Sequence, residues 1–194
     1  MAERAETSRA ASSVWAQPGN KRHARKPARR CLFVIGIGLG IAAVVATIVD
    51  HPRPRLVWNA SASAPVGLYA VTAITTPRRG DLVIAWPPST MRDLAARRHY
   101  LPRGVPLVKR IVAVSGDRIC AGGDAISIDD RLVAIRRSRD AQGRSMPQWT
   151  GCITLHRGTV FLLMTKAAGS FDGRYFGPTG PQDLIGKATP LWVR

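Results

Sequence analysis

Leu107-Val-Lys109-Arg110-Ile-Val-Ala-Val114 is the stretch on which the reading of the fold turns. It is a short, mostly apolar run that ends directly on the turn signal Ser115-Gly116-Asp117, the way a buried strand is punctuated. Working outward, the same pattern recurs at Leu82–Trp86, Ala125–Ile128, Leu132–Ile135, Val160–Met164 and Ala188–Val193. Gly-Asp pairs stand at Gly80-Asp81, Gly116-Asp117 and Gly123-Asp124, and Asp129-Asp130 separates two runs as a two-residue hairpin turn does. Only Ser89–His99 reads as a helix, and a short one. The spacing therefore predicts a mainly β domain of antiparallel hairpins. A chain of 194 residues holds one such domain plus extra segments.

The extra segments lie at the N-terminus. Residues 1–30 carry eight Lys or Arg against Glu3 and Glu6, for a net +6, and almost no branched apolar residues. Such a stretch cannot bury enough surface to fold, so it is read as a flexible basic tail. Residues 31–49 follow as 19 residues without a charge, close to the roughly 20 that cross a bilayer as a helix. Positive charge before this run, with Arg53 and Arg55 alone close behind it, puts the tail in the cytoplasm and the rest outside. The expected organisation is thus a cytoplasmic tail (1–30), a single-pass anchor in the inner membrane (31–50) and a periplasmic domain (51–194). The competing reading is a cleaved signal peptide with a small-residue site at Val44-Val45-Ala46, against which the 30-residue polar lead argues. The overall charge of +17 invites nucleic acid as a partner. A basic cluster abutting an apolar run is instead topological and meets anionic membrane lipid, so nucleic-acid binding is not expected.

Three cysteines are too few for a disulfide scaffold and too far apart for a zinc site, and no His-Glu-x-x-His pair occurs. Neither a metal nor a cofactor is expected. Serine is a poor nucleophile until a neighbour takes its proton. His99 and His156 are available for this, but Lys109 sits within an apolar run, where partial desolvation lowers an amine's pKa. Reaching about 7.5 from the usual value near 10.4 takes roughly 4 kcal/mol. Taken alone, Lys109-Arg110 also fits the solvated face of a strand.

Three stretches together resemble a known family. Ser61-Ala-Ser63-Ala-Pro65-Val-Gly67-Leu-Tyr69 resembles the nucleophile box of the type I signal peptidases, serine endopeptidases of family S26. Pro106-Leu-Val-Lys109-Arg110-Ile-Val-Ala-Val-Ser-Gly116-Asp117 resembles the box that holds the family's general-base lysine. Ser170-Phe-Asp172-Gly-Arg174-Tyr-Phe-Gly177 resembles the family's last box. The resemblance spans about residues 55–194 and implies a signal-peptidase-like antiparallel β-sheet domain behind one transmembrane helix. It implies Ser63 as nucleophile, Lys109 as base and Ser61 as a helper of the oxyanion. It further implies Ser170 as a hydrogen-bond partner of the lysine, with Asp172 and Arg174 as a supporting ion pair.

Gly67-Leu-Tyr69, Ser170-Phe-Asp172-Gly-Arg174-Tyr-Phe-Gly177 and the ending Ile185-Gly-Lys-Ala-Thr-Pro-Leu-Trp192 resemble the TraF-type branch of conjugative transfer, and departures from the general signal peptidases tell against a house-keeping role. Ala64 follows the nucleophile where Met is common, Lys166-Ala-Ala-Gly169 replaces Gly-Asp-Asn, and Val114-Ser-Gly-Asp117 replaces Leu-Pro-Gly-Asp. The resemblance implies that the substrate is an exported precursor, pilin-like, cut after a small residue, with mating-pore components as further partners. The alternative is general removal of signal peptides from secreted preproteins. A scaffold of a secretion apparatus would leave Ser63 and Lys109 unexplained, and a self-cleaving repressor would need a DNA-binding module. In an exported compartment, Cys120 and Cys152, each bordering a strand-like run, are expected to form a disulfide; two free buried thiols are the alternative. Cys31 lies in the apolar run and is not expected to pair.

Overall fold

The chain divides into two units, Met1–Pro52 and Arg53–Arg194. The computed structural model describes residues 27–49 of the first and 54–194 of the second. The expected flexible tail, up to residue 26, lies outside the described residues, as do residues 50–53. In the first unit, α1 runs Pro27–Val49, so the helix takes in Arg29 and Arg30, which the sequence reading leaves in the tail. Proline suits the first turn of a helix, where its missing N–H would have no partner anyway. The side chains described from Arg30 to Ala46 are exposed all round, Phe33 at 74% and Leu39 at 67%. Among the described residues no helix is long and apolar enough to cross a membrane.

The second unit is built from two antiparallel sheets. The larger has the order β1-β2-β10-β3-β4-β9, formed by Leu56–Asn59, Gly67–Thr72, Leu184–Val193, Leu82–Ala85, Leu107–Ala113 and Phe161–Leu163. The smaller has the order β7-β6-β5-β8, formed by Arg131–Ile135, Ala125–Ile128, Arg118–Gly122 and Gly151–Thr154. Every pairing is antiparallel. The mainly β antiparallel architecture thus agrees with the sequence. Asp129 and Asp130 both adopt positive φ, 48° and 65°, the geometry of the tight hairpin turn between β6 and β7. Two short α-helices, α2 (Ser89–Arg97) and α3 (Gly173–Phe176), and a 3₁₀ turn at Pro181–Asp183 complete the unit.

Burial explains why these strands hold. Tyr69, Ile84, Val108, Ile185 and Ala188 from β2, β3, β4 and β10 pack as one cluster. Val83, Ile111 and Leu162 form a second, and Ile119, Ile126 and Phe161 a third beneath the small sheet. Each buried Val, Leu, Ile or Phe among them contributes roughly 1.5–3 kcal/mol by leaving water. β10 approaches β2 so closely that a Cβ on Gly67, at φ 152°, would lie 2.0 Å from the Trp192 carbonyl oxygen. Glycine is required there by space and by conformation together. The edge strand β1 leaves Trp58 and Leu56 about half exposed, and Trp58 stacks on Trp192 with centroids 5.7 Å apart.

Cys120 of β5 and Cys152 of β8 are direct cross-strand partners and are disulfide-bonded. The bond closes a loop with a sequence separation of 32, within which lies the excursion 136–150 between β7 and β8. Closing a loop of this size in the unfolded chain is worth about 3–4 kcal/mol in the chain-entropy description. Replacing Cys152 with Ser should lower stability by about that much, read as a shift of the denaturant midpoint at unchanged slope. An unchanged midpoint would show that the cross-link adds nothing to the hairpin.

Candidate active site

Ser61 and Ser63 sit in the loop between β1 and β2, and this loop is tied down at its root. Asn59, the last residue of β1 and 6% exposed, donates from Nδ2 to the carbonyls of Ser61 (2.9 Å), Ala64 (3.1 Å) and Pro65 (3.0 Å). Its Oδ1 accepts the Ser61 N–H at 3.1 Å. Tyr69 adds a hydrogen bond from its hydroxyl to the Pro65 carbonyl, 2.7 Å. Asx side chains favour such local backbone bonds over continuing a strand. The sequence reading passed over Asn59. The signal was an Asn at the end of an apolar run, directly before a Ser/Ala turn.

Lys109 comes from β4, between β3 and β9, and is 3% exposed. Of the two readings open for it, the solvated face of a strand is excluded: Arg110 is exposed, and Lys109 is not. Its Nζ lies 2.8 Å from Ser63 Oγ and 2.8 Å from Ser170 Oγ. Ser61 Oγ is 2.9 Å from Ser63 Oγ and accepts the Ser63 N–H at 3.3 Å. Burial drives the amine's pKa down, Asp172 pulls it back up and Arg174 lowers it again, for a value of about 8 against the ordinary 10.5. A neutral amine at this distance can accept a hydroxyl proton, which an ammonium cannot.

Asp172 and Arg174 lie behind Ser170, wholly buried, and pair at 2.8 Å. Asp172 caps α3 by accepting the Arg174 N–H and also takes the N–H of Met164. The guanidinium reaches back to the carbonyls of Met164 (3.1 Å), Ala167 (2.7 Å) and Ala168 (3.3 Å). Both ions are therefore fully hydrogen-bonded, the condition for a buried pair to be tolerated. Together they fix the loop 164–170 that ends on Ser170. Trp149 fastens α3 from the other side, donating from Nε1 to the Gly173 carbonyl at 3.0 Å.

A cleft of about 910 Å³ opens over Ser63 and Lys109. Tyr100, Val105, Met146 and Phe171 supply much of its apolar wall. The structure brings Ser61, Ser63, Lys109 and Ser170 to this cleft, with Asp172 and Arg174 beneath them. Cys120 and Cys152 stand apart on the small sheet. His99 and His156 are exposed and line no part of the cleft, so neither pairs with Ser63.

A family model described as "Signal peptidase, peptidase S26" matches residues 28–193. The chain therefore belongs to the S26 family of signal peptidases. Within that family it falls in the TraF-type branch. It is 36% identical over 166 residues to the probable conjugal transfer protein TraF of Sinorhizobium fredii, an alignment covering 80% of this chain and 87% of that protein. The conjugal transfer protein TraF of Agrobacterium tumefaciens is 33% identical over 176 residues, covering 85% and 96%. A plasmid transfer protein TraF of Escherichia coli is 32% identical over 162 residues, covering 77% and 90%.

The state of the amine can be measured without any substrate. An NMR titration of Lys109 should show a midpoint near 8, and a midpoint at 10 or above would contradict the burial argument. Because the folded value lies below the unfolded one, the protonated lysine costs the fold about 3 kcal/mol at pH below 8. Stability from this group should rise as pH goes from about 8 to 10.5, and Lys109→Met should remove that rise.

Proposed function

We propose that the chain is a membrane-anchored serine endopeptidase in which Ser63 and Lys109 form the catalytic dyad, and that it matures an exported, pilin-like precursor for conjugative transfer. The observation that carries the reading is the 2.8 Å approach of a buried amine to the Ser63 hydroxyl. Neutral Lys109 takes the Ser63 proton as Oγ attacks the scissile carbonyl carbon. The oxyanion that forms is held by the Ser63 N–H and the Ser61 hydroxyl, whose present contact with each other opens to admit it. The lysine then gives its proton to the departing amine. Water then attacks the acyl carbon as Lys109 takes its proton, and the lysine returns that proton to Ser63 Oγ as the Oγ–acyl bond breaks, restoring the dyad. Ser170 holds Nζ in line throughout, and the Asp172–Arg174 pair holds Ser170's loop.

Two features support the anchor and the substrate class. In the sequence, the uncharged run 31–49 preceded by the +6 segment has the charge asymmetry of a single-pass anchor with a cytoplasmic N-terminus. This would leave residues 51–194 in the periplasm and bring the cleft to precursors held at the same bilayer, lowering the orientational cost of the encounter. Similarity to proteins named for conjugal and plasmid transfer supports conjugation as the setting, with mating-pore components as further partners.

Ser63→Ala and Lys109→Ala should each abolish precursor processing while the protein stays folded. The double variant should be little worse than either, because the two residues act as a unit. Ser61→Ala should lose about 10²–10³ in rate, the usual loss for one oxyanion donor. The kcat/KM of the unchanged protein should climb with pH through about 8 as the lysine loses its proton. An active Lys109→Ala variant would sink the dyad. Deleting the gene should stop plasmid transfer and spare bulk secretion; cell-wide accumulation of preproteins would assign general preprotein processing instead.

A further inference from the structure

We propose that Arg137 is a specificity-determining residue whose guanidinium receives a carboxylate of the peptide lying in the cleft. This rests on the peptidase reading above and adds to it the chemistry of the substrate. The charged residues lining the cleft are Lys109, Arg137, Arg139 and Asp140. Three of them are already engaged. Lys109 bonds Ser63 and Ser170, and Arg139 donates to the Gly143 carbonyl at 2.6 Å. Asp140 is taken by the Tyr100 hydroxyl, by Arg144 at 2.6 Å and by the N–H groups of Gln142 and Arg144. Among the described residues, the Arg137 guanidinium alone of these groups has no hydrogen-bond or ion-pair partner.

Its backbone, by contrast, is held firmly. Arg136, 1% exposed, donates from Nε to the Gly123 carbonyl at 2.9 Å and from Nη1 to the Trp149 carbonyl at 2.7 Å. The Arg137 N–H itself donates to the Tyr175 hydroxyl at 3.2 Å. Tyr175 stacks on Phe171, the residue after Ser170, so Arg137, Tyr175 and Phe171 form a linked part of the cleft lining. The anchored main chain thus holds an exposed, unpartnered guanidinium at a cleft whose one carboxylate, Asp140, is already engaged. A guanidinium in this setting pairs with a carboxylate through two parallel N–H bonds. That carboxylate is a Glu or Asp side chain near the cut, or the C-terminal group of the substrate itself.

The test uses the full chain in detergent micelles and short peptides built on an Ala-Ser-Ala cut site. One Glu is walked along otherwise uncharged positions, each peptide is also made with Gln or Lys there, and each has a free or amidated C-terminus. Binding is read on Ser63→Ala, and kcat/KM on the unchanged protein. At one position Glu should bind and be cleaved about tenfold better than Gln, the scale of one charge-assisted pair. If the C-terminal group is the ligand, amidation should cost about the same and the Glu position should not matter. Adding Arg137→Ala should erase whichever preference is seen, Arg137→Glu should turn it toward Lys, and Arg139→Ala should leave it intact. Equal binding of Glu, Gln, free and amidated peptides overturns the proposal, as does a preference that survives Arg137→Ala. Binding that shows the preference without cleavage counts against the peptidase reading and leaves the carboxylate site standing.

Discussion

An amine buried to 3% exposure beside two hydroxyls sets the terms for everything around it. Moving an ammonium out of water costs several kcal/mol, so the site must either neutralise the lysine or surround it with acceptors. Here the apolar neighbours of β4 press toward the neutral form, while Asp172 pulls the other way and Arg174 checks it. Without Arg174 the carboxylate would favour the ammonium, the form that takes up no proton. The ion pair therefore balances the lysine electrically as well as fixing Ser170's loop.

The larger sheet answers this constraint mechanically. Lys109 lies on a strand with neighbours on both sides, Val83 opposite it, so its backbone cannot shift to relieve the burial. The serine loop hangs from the edge hairpin β1–β2, and Asn59 and Tyr69 hold it by its carbonyls. The third component arrives from the far end of the chain, where Asp172 caps α3. Three sequence-distant pieces meet because β4 lies between the strands that carry the others.

Much of the strand pattern was readable in the sequence. β6 coincides with the run Ala125–Ile128, and β3, β4, β7 and β9 lie within a residue of their runs, since apolar stretches between glycine and aspartate turns leave few other choices. Four strands escaped. β1, β2, β5 and β8 carry Asn, Thr, Arg, Cys or Gly among their apolar residues, and their pairing comes from partners rather than from their own pattern. β10 begins at Leu184, four residues before its run, because the Gly186 backbone fits against β2. At the site, Ser61, Ser63, Lys109, Ser170, Asp172 and Arg174 could be named from three short boxes. Asn59, Trp149 and Arg136 could not. Each acts through a carbonyl of a residue distant in sequence or through a turn it makes itself, and no spacing rule marks such a bond.

Asn59 holds the serine loop by bonds that only a neutral amide can make. Its amide nitrogen faces three carbonyl oxygens, and its amide oxygen faces an N–H. Deamidation would exchange that nitrogen for an oxygen, turning the donor into an anion aimed at three acceptors in a buried place. The loop would be pushed off its support with no substitution in the gene.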